Sequence, residues 1–521
     1  MQIITSGEAA NLINDRSHVL FSGFGAYGAP DDILDAIAQR YAQEKHPAMI
    51  HAYCGVCTGD NTDRTVGFNR LSEPGLIGTL VAAHFKYART IWRNVAENKT
   101  AAFTIPLGVM VQLFCSKAAR QPGILTKTGI HTYIDPRQDG PAANELAKQQ
   151  GNKHVEVMNV NGKDYLYYHL PYPDVAIIRG TYADEKGNIS IENEGISDTQ
   201  LAIAMATKNA GGFVIVQVEK VVQAGVLPAR SVYVPHTLVD YVVVARSPEY
   251  HMQSYEFPYR SEVSGQYKMP ITDIEHLPLD IRKVIARRAL LELKPDSMVN
   301  LGIGIPSGMG SVANEEGIAD QMTLSVESGP IGGVPLSGLA FGAAVNPDMI
   351  ARMEDVLRYY DGGGIDLAVL GIAEVDKHGN VNVSKLNGRP IGPGGFIDIT
   401  QRTKTVCFVG NFTNGKRDIR IENGELKIYQ DGETMKFVDE VEQITFSGDY
   451  AVQSGQRVLY ITERAVFELK EEGMTLVEIA PGVDIQKDII KRMGFVPRVS
   501  ETIGIMNKLI YLEKAMEDDY Y

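Results

Sequence analysis

The chain has 521 residues, of which 44% are apolar and 22% charged, the composition of a globular protein too long for a single hydrophobic core. Its 64 Asp and Glu outweigh 50 Lys and Arg for a net charge of −14, and without a Lys/Arg run this acidic surface argues against nucleic-acid binding. The 4 cysteines are too few for a disulfide scaffold, no stretch approaches the roughly 18 apolar residues of a membrane helix, and Met1-Gln2-Ile3-Ile4-Thr5-Ser6 does not read as a secretory signal, so a cytoplasmic protein without membrane contact is expected.

In chain order, the first readable unit is an apolar strand at Val19-Leu20-Phe21, followed by the loop Gly23-Phe24-Gly25-Ala26-Tyr27-Gly28. A helix is predicted over Asp31 to Tyr41, where apolar residues recur at helical spacing. A second strand, 48–53, ends at Cys54-Gly55-Val56-Cys57. The polar stretch from Asp139 to Asp164 reads as a surface excursion. An apolar strand after Asp174 then leads to the turn Asp184-Glu185-Lys186-Gly187-Asn188, and a further strand covers Gly212 to Val218.

This series recurs. The segment from Asp174 to Ser190 aligns without a gap on Asp366 to Asn382, a shift of 192 residues, and Lys404 to Val409 repeats the strand that follows. Val299 to Gly304 resembles Val19 to Gly25 at a shift of 279, which leaves about 87 extra residues in the first half between Gly25 and Asp174. A second amphipathic helix is predicted over Ile281 to Glu292. The pattern predicts an α/β protein: two similar open α/β domains, their parallel or mixed sheets covered by helices and related by internal duplication. The domains are expected over 1–260 and 281–521, joined by a linker at 261–280, with a ligand cleft between them.

Several local patterns could carry chemistry. Gly23-Phe24-Gly25-Ala26-Tyr27-Gly28 has the spacing of a dinucleotide loop. The next strand, however, ends in Cys54-Gly55 with no carboxylate for a ribose, and Asp31-Asp32 open the following helix against a pyrophosphate. A tight strand-to-helix turn accounts for the same glycines. Cys54 and Cys57 could form a redox pair or half a zinc site, but Cys115 and Cys407 are isolated and no His stands at useful spacing, so no metal ligand is assigned. His378 takes the place of Lys186 in the repeated turn and reads as a turn residue.

The strongest local signal is Thr323-Leu324-Ser325-Val326-Glu327-Ser328-Gly329-Pro330-Ile331-Gly332-Gly333, an apolar strand whose tip carries a carboxylate and enters a Gly/Pro-rich turn. Strand tips at the carboxyl edge of an α/β sheet face its crevice. A glutamate there either caps the turn or does chemistry, and the glycines let backbone or ligand come close. Gly392-Pro393-Gly394-Gly395 exposes consecutive backbone groups, as an oxyanion or phosphate cradle does.

Taken together and in order, these blocks resemble family I coenzyme A transferases, especially the acetate and propionate CoA-transferase branch with both halves on one chain. The resemblance also takes in Pro122 to Gly129, Asp135-Pro136-Arg137, Tyr460 to Phe467 and Glu478 to Asp484. It implies that Glu327 is a covalent nucleophile, that Gly392, Gly394 and Gly395 form the glycine motif at the thioester, and that Gly55 and Val56 lie in the loop of the second oxyanion contact. Pro393 departs from a free cradle because it has no N–H, which places the demand on Gly394 and Gly395. Phe341, Asn346 and Tyr359 are candidates for the acyl pocket. The resemblance further implies acyl-CoA and short-chain carboxylates as partners, coenzyme A as a substrate, no permanently bound cofactor, and a homodimer or homotetramer. A glutamate of ordinary pKa about 4.3 is ionised at neutral pH, so its attack would draw on proximity and desolvation.

Overall fold

Short apolar runs closed by glycine or Asp-x-x-Gly-Asn turns form the strands of two main sheets in the computed structural model, which describes residues 1–270 and 276–516. The chain divides into two compact units. The first holds residues 1–269, 326–358 and 388–398, and the second holds 270–325, 359–387 and 399–521. The first crossing between them falls inside the linker expected at 261–280, of which 271–275 lie outside the described residues. The division is not a single cut: the segment that begins Val326-Glu327 and the segment containing the glycine motif both belong to the first unit.

The first unit is built on an eight-stranded sheet in the order Gln2–Ile3, Tyr241–Val244, Phe213–Val218, Val175–Arg179, His18–Phe21, Ile50–Tyr53, Ile77–Ala82, Ala101–Thr104. Every pairing in it is parallel. From His18–Phe21 the chain builds outward to one side and then, with Val175–Arg179, to the other. That reversal makes a topological switch point, and ligands of open α/β sheets bind outside the carboxyl ends of the strands there. The predicted helix is present and runs from Asp31 to Glu44, three residues past Tyr41, until Lys45 adopts φ 61°. Its Ile33, Leu34 and Ile37 are buried in the core with Val19, Phe21, Ile50 and Leu80.

In the second unit the strands run Met322–Ser325, Ser297–Leu301, Leu367–Gly371, Thr405–Val409, Arg457–Ile461, Ala465–Lys470, Gly473–Ile479, Arg498–Ile505. The first five pair in parallel and the two next pairings are antiparallel, so this sheet is mixed. Its first five strands repeat the order Ile50–Tyr53, His18–Phe21, Val175–Arg179, Phe213–Val218, Tyr241–Val244 of the first unit. The expected α/β class and internal duplication are therefore present in the strand order itself. No helix among the described residues is long and apolar enough to cross a membrane.

The repeated turn is also the same object twice. Asp184 Oδ1 accepts from the N–H groups of Lys186, Gly187 and Asn188, and its Oδ2 accepts from Asn188 Nδ2. Asp376 does the same for His378 N and Asn380 N, with Asn380 Nδ2 on its Oδ2. His378 thus serves as a turn residue. Asp376→Ala strands these donors in a buried turn, and a loss of about 1–3 kcal/mol is expected in urea unfolding. An unchanged midpoint would show that the repeat is sequence inheritance without structural weight.

The extra residues of the first half are more ordered than a polar excursion. They supply the strands Ile77–Ala82 and Ala101–Thr104, and a hairpin of Val155–Val160 with Lys163–Tyr168 turned by Asn161 (φ 52°) and Gly162 (φ 76°). Two consecutive left-handed residues match the natural twist of a hairpin, which explains the Asn-Gly pair.

Candidate active site

Four strands of the parallel sheet deliver their carboxyl ends to one place. His18–Phe21 leads into the glycine loop, Ile50–Tyr53 into Cys54-Gly55-Val56, Ile77–Ala82 into Ala83-His84-Phe85, and Ala101–Thr104 towards Leu107. The third of these ends ties the others together. Ala83 N donates to Gly55 O (2.8 Å) and Cys57 N donates to His84 O (3.0 Å), which fixes the Gly55-Val56 turn on one side. On the other side Gly394 N donates to Ala83 O (2.9 Å) and Phe85 N to Ile391 O (3.1 Å), while Leu107 N donates to Gly394 O (3.0 Å). Three residues of backbone therefore hold both loops that the sequence singled out.

These bonds decide which amides remain available. The Gly394 N–H is spent on Ala83 O, so it cannot also face a ligand, contrary to the expectation that Gly394 and Gly395 share that task. The N–H groups of Gly395 and Val56 have no acceptor among the described residues. Gly392 has a different role. At φ 93°, a Cβ on it would stand 2.3 Å from Ala83 O, so only glycine allows this approach.

Glu327 occupies a hydrogen-bonded turn. Gly329 N donates to Val326 O (3.0 Å), which puts Glu327 and Ser328 at the two central positions, and Val326 N donates to Pro330 O (2.9 Å). The turn is backed by the Ser328 hydroxyl, which donates to Gly342 O. Glu327 is 7% exposed. Gly329 (φ 135°), Gly332 and Gly333 pack so closely on Ala351, Asp348 and Val345 that a Cβ on any of them would lie within 2.5 Å of those residues. The Gly/Pro-rich composition thus serves the turn's packing, and two backbone bonds close it.

The glycine loop is not a phosphate cradle. The Gly23 N–H donates to the carboxylate of Asp198, a buried residue, and Gly25 O accepts from Gly59 N at 2.9 Å. Phe24 and Tyr27 close the loop on themselves with two backbone bonds of 3.0 and 2.9 Å. A carboxylate in the place where a pyrophosphate would sit rules out the dinucleotide reading. Cys54 and Cys57 are buried free thiols with sulfurs 3.8 Å apart, and burial pushes the Cys54 thiol up, which keeps it protonated and unreactive. No set of three His, Cys, Asp or Glu side chains among the described residues could hold a metal ion.

Two neighbours carry no signal in the sequence. Burial first, and Lys86 second, hold the His84 imidazole at about 4, so it is neutral; its Cδ2 lies 3.9 Å from a Cβ placed on Gly394. Tyr87 feels the Glu327 charge, which adds to burial in pushing its phenol up. Neither stands in a motif that a sequence would flag. Of the proposed pocket residues, Asn346 clamps the backbone of Met269 with both ends of its amide (2.9 and 2.7 Å), and Tyr359 covers Gly364.

Comparison with known proteins gives a consistent result. Residues 3–245 match the family described as Coenzyme A transferase. The chain is similar to caffeate CoA-transferase of Acetobacterium woodii, 42% identical over 518 residues and 98% of both chains. It is similar to acetate CoA-transferase YdiF of Escherichia coli strain K12, 41% identical over 516 residues, covering 99% of this chain and 96% of that one. The crystal structure of acyl-CoA transferase YdiF from E. coli O157:H7, a thioester complex with CoA, superimposes with a TM-score of 0.91 at 39% identity over 99% of this chain and 96% of the other.

Proposed function

The chain belongs to the coenzyme A transferase family, and we propose that it moves CoA from a short-chain acyl-CoA to acetate or another short-chain carboxylate by a ping-pong reaction through Glu327. The observation that carries this reading is the arrangement of one carboxylate in a closed turn and two backbone N–H groups, Val56 and Gly395, on loops clamped by the same three residues. Glu327 attacks the acyl carbonyl and expels CoA as the thiolate, leaving a mixed acyl-glutamyl anhydride. The thiolate then attacks the Glu327 carbonyl, releases the first acid as its carboxylate and leaves a glutamyl-CoA thioester. An incoming carboxylate reverses these two steps. Each tetrahedral intermediate puts negative charge on oxygen, and a single well-aimed N–H is worth on the order of 3 kcal/mol to it. In this scheme Gly55 carries Val56, while Gly392 and Gly394 hold Gly395 at its post. Coenzyme A enters as a substrate, no bound cofactor takes part, and the reaction belongs to a cytoplasmic homodimer or homotetramer.

The test is direct. Incubate the protein with acetyl-CoA, trap with borohydride or hydroxylamine, and map the modified peptide; modification elsewhere than Glu327 would sink the scheme. The similarity to a caffeate CoA-transferase supports a second reading, in which the acceptor is an aromatic acid. A panel of acyl-CoA donors against acetate, propionate, butyrate and caffeate, read by mass spectrometry, separates the two. CoA released without any added acid would instead indicate a hydrolase.

A further inference from the structure

We propose that the Tyr87 hydroxyl is the hydrogen-bond donor that receives the carboxylate of the incoming acid beside Glu327, a specificity residue for the second half of the reaction proposed above, on which this assignment rests. The placement follows from packing. The turn carrying Glu327 is backed by Ser328 on Gly342 O, and Gly342 (φ 115°) lies so close to Phe24 that a Cβ there would stand 2.9 Å from the ring. The next residue, Gly25, lies against the Tyr87 ring, which a Cβ would meet at 3.2 to 3.4 Å. The backbone of Tyr87 is fixed as well: its carbonyl accepts from Asn61 N at 2.9 Å, and it abuts Gly59 so closely that a Cβ there would stand 2.2 Å away. The ring sits 5.9 Å from that of His84. Tyr87 is thus held between the glycine loop, the Cys54–Gly59 turn and the strand end that clamps both amide loops.

What makes this side chain a ligand group is its unused end. Tyr87 is partly buried, its hydroxyl has no hydrogen-bond partner among the described residues, and it is not among the oxygens sealed from solvent. Two other phenols of this neighbourhood are committed: Tyr27 donates to Ala340 O at 2.7 Å, and Tyr233 donates to Asp198 O at 2.9 Å. Burial and the Glu327 charge both keep the Tyr87 proton in place, so the group donates throughout the physiological range. A donor beside Glu327 meets no charge on a neutral acyl-CoA thioester until the acid is released from it. A free acid, in contrast, brings a full negative charge that must be desolvated to attack the glutamyl thioester, and a phenol O–H offsets that cost. The recognised chemistry is the carboxylate itself, common to every acceptor, rather than the chain behind it.

The experiment is Tyr87→Phe, which keeps the ring on Gly25 and removes only the hydroxyl. In one arm the wild type and the variant are mixed with acetyl-CoA and the CoA adduct on Glu327 is followed by peptide mass spectrometry. In the other, propionyl-CoA is the donor and acetate is titrated, then acetyl-CoA is the donor and propionate is titrated. KM for acetate and for propionate is expected to rise together by roughly tenfold or more, with a smaller change in kcat; because adduct formation is the reverse of acid attack, its kcat/KM falls by a similar factor while the adduct still forms on Glu327. An unchanged acid KM on a protein labelled at Glu327 overturns the Tyr87 assignment alone. A loss carried by kcat with the acid KM unchanged overturns it too, by showing that the hydroxyl matters only to the build of the site. Labelling of the wild type elsewhere than Glu327 overturns the functional reading and this assignment with it.

Discussion

Glu327→Gln is expected to lower CoA transfer by on the order of 10³-fold or more, with the folded state almost untouched. The asymmetry comes from what holds the turn. Val326 N to Pro330 O and Gly329 N to Val326 O are backbone bonds, and the backing contact belongs to Ser328, so an amide of the same size at 327 leaves each of them in place. It removes the nucleophile, and with it both covalent intermediates. Glu327→Asp keeps the charge but shortens the arm by about 1.5 Å, enough to cost on the order of 10²-fold through misplacement alone. Steady-state transfer between acetyl-CoA and propionate, with urea unfolding of each variant, provides the check. Full activity in the glutamine variant would return Glu327 to the role of a turn residue, and a collapse in stability would mean the carboxylate holds more of the structure than its turn bonds indicate.

The fold was legible where its signals are local. Apolar strands ending in Asp-x-x-Gly-Asn turns recur at a shift of 192 residues, and the aspartate of each turn accepts from the same two backbone N–H groups and from the same asparagine amide. The hairpin at 155–168 was legible too, since Asn161-Gly162 is its signature, but the polar composition around it suggested a loop. The site was half legible. Glu327 and the glycine motif stand out as a carboxylate in a Gly/Pro turn and a run of small residues. Which amide is free does not, because Gly394 loses its N–H to Ala83, more than 300 positions earlier in the chain. Ala83-His84-Phe85 acts through backbone atoms that every residue possesses, so no side-chain pattern could announce it. The same holds for the glycine loop: its spacing fits a nucleotide, and only Asp198 on Gly23, brought in from just before the helix that starts at Gln200, decides otherwise.

That dependence on backbone contact makes Gly392→Ala the second large effect expected. The position has φ 93°, where an alanine is strained by about 1 kcal/mol or more. The larger consequence is steric. The new methyl would lie 2.3 Å from Ala83 O and 3.2 Å from His84 Cα, both backbone atoms, so no rotamer change relieves the collision. The loop must retreat, and the bonds from Gly394 N to Ala83 O and from Phe85 N to Ile391 O are the ones that lengthen. A retreat of about 1 Å moves the Gly395 amide off the position where an oxyanion forms, for a loss on the order of 10²-fold in kcat, comparable to deleting one oxyanion donor. Gly388→Ala is the control: it shares the positive φ (75°) and the same segment, but nothing lies within 4 Å of its Cβ, so it carries the strain without the collision. It is expected to lose some stability and keep its turnover. Equal kcat in the two variants would mean that the Gly392 contact does not set the amide and that the donor opposite Val56 lies elsewhere in the site.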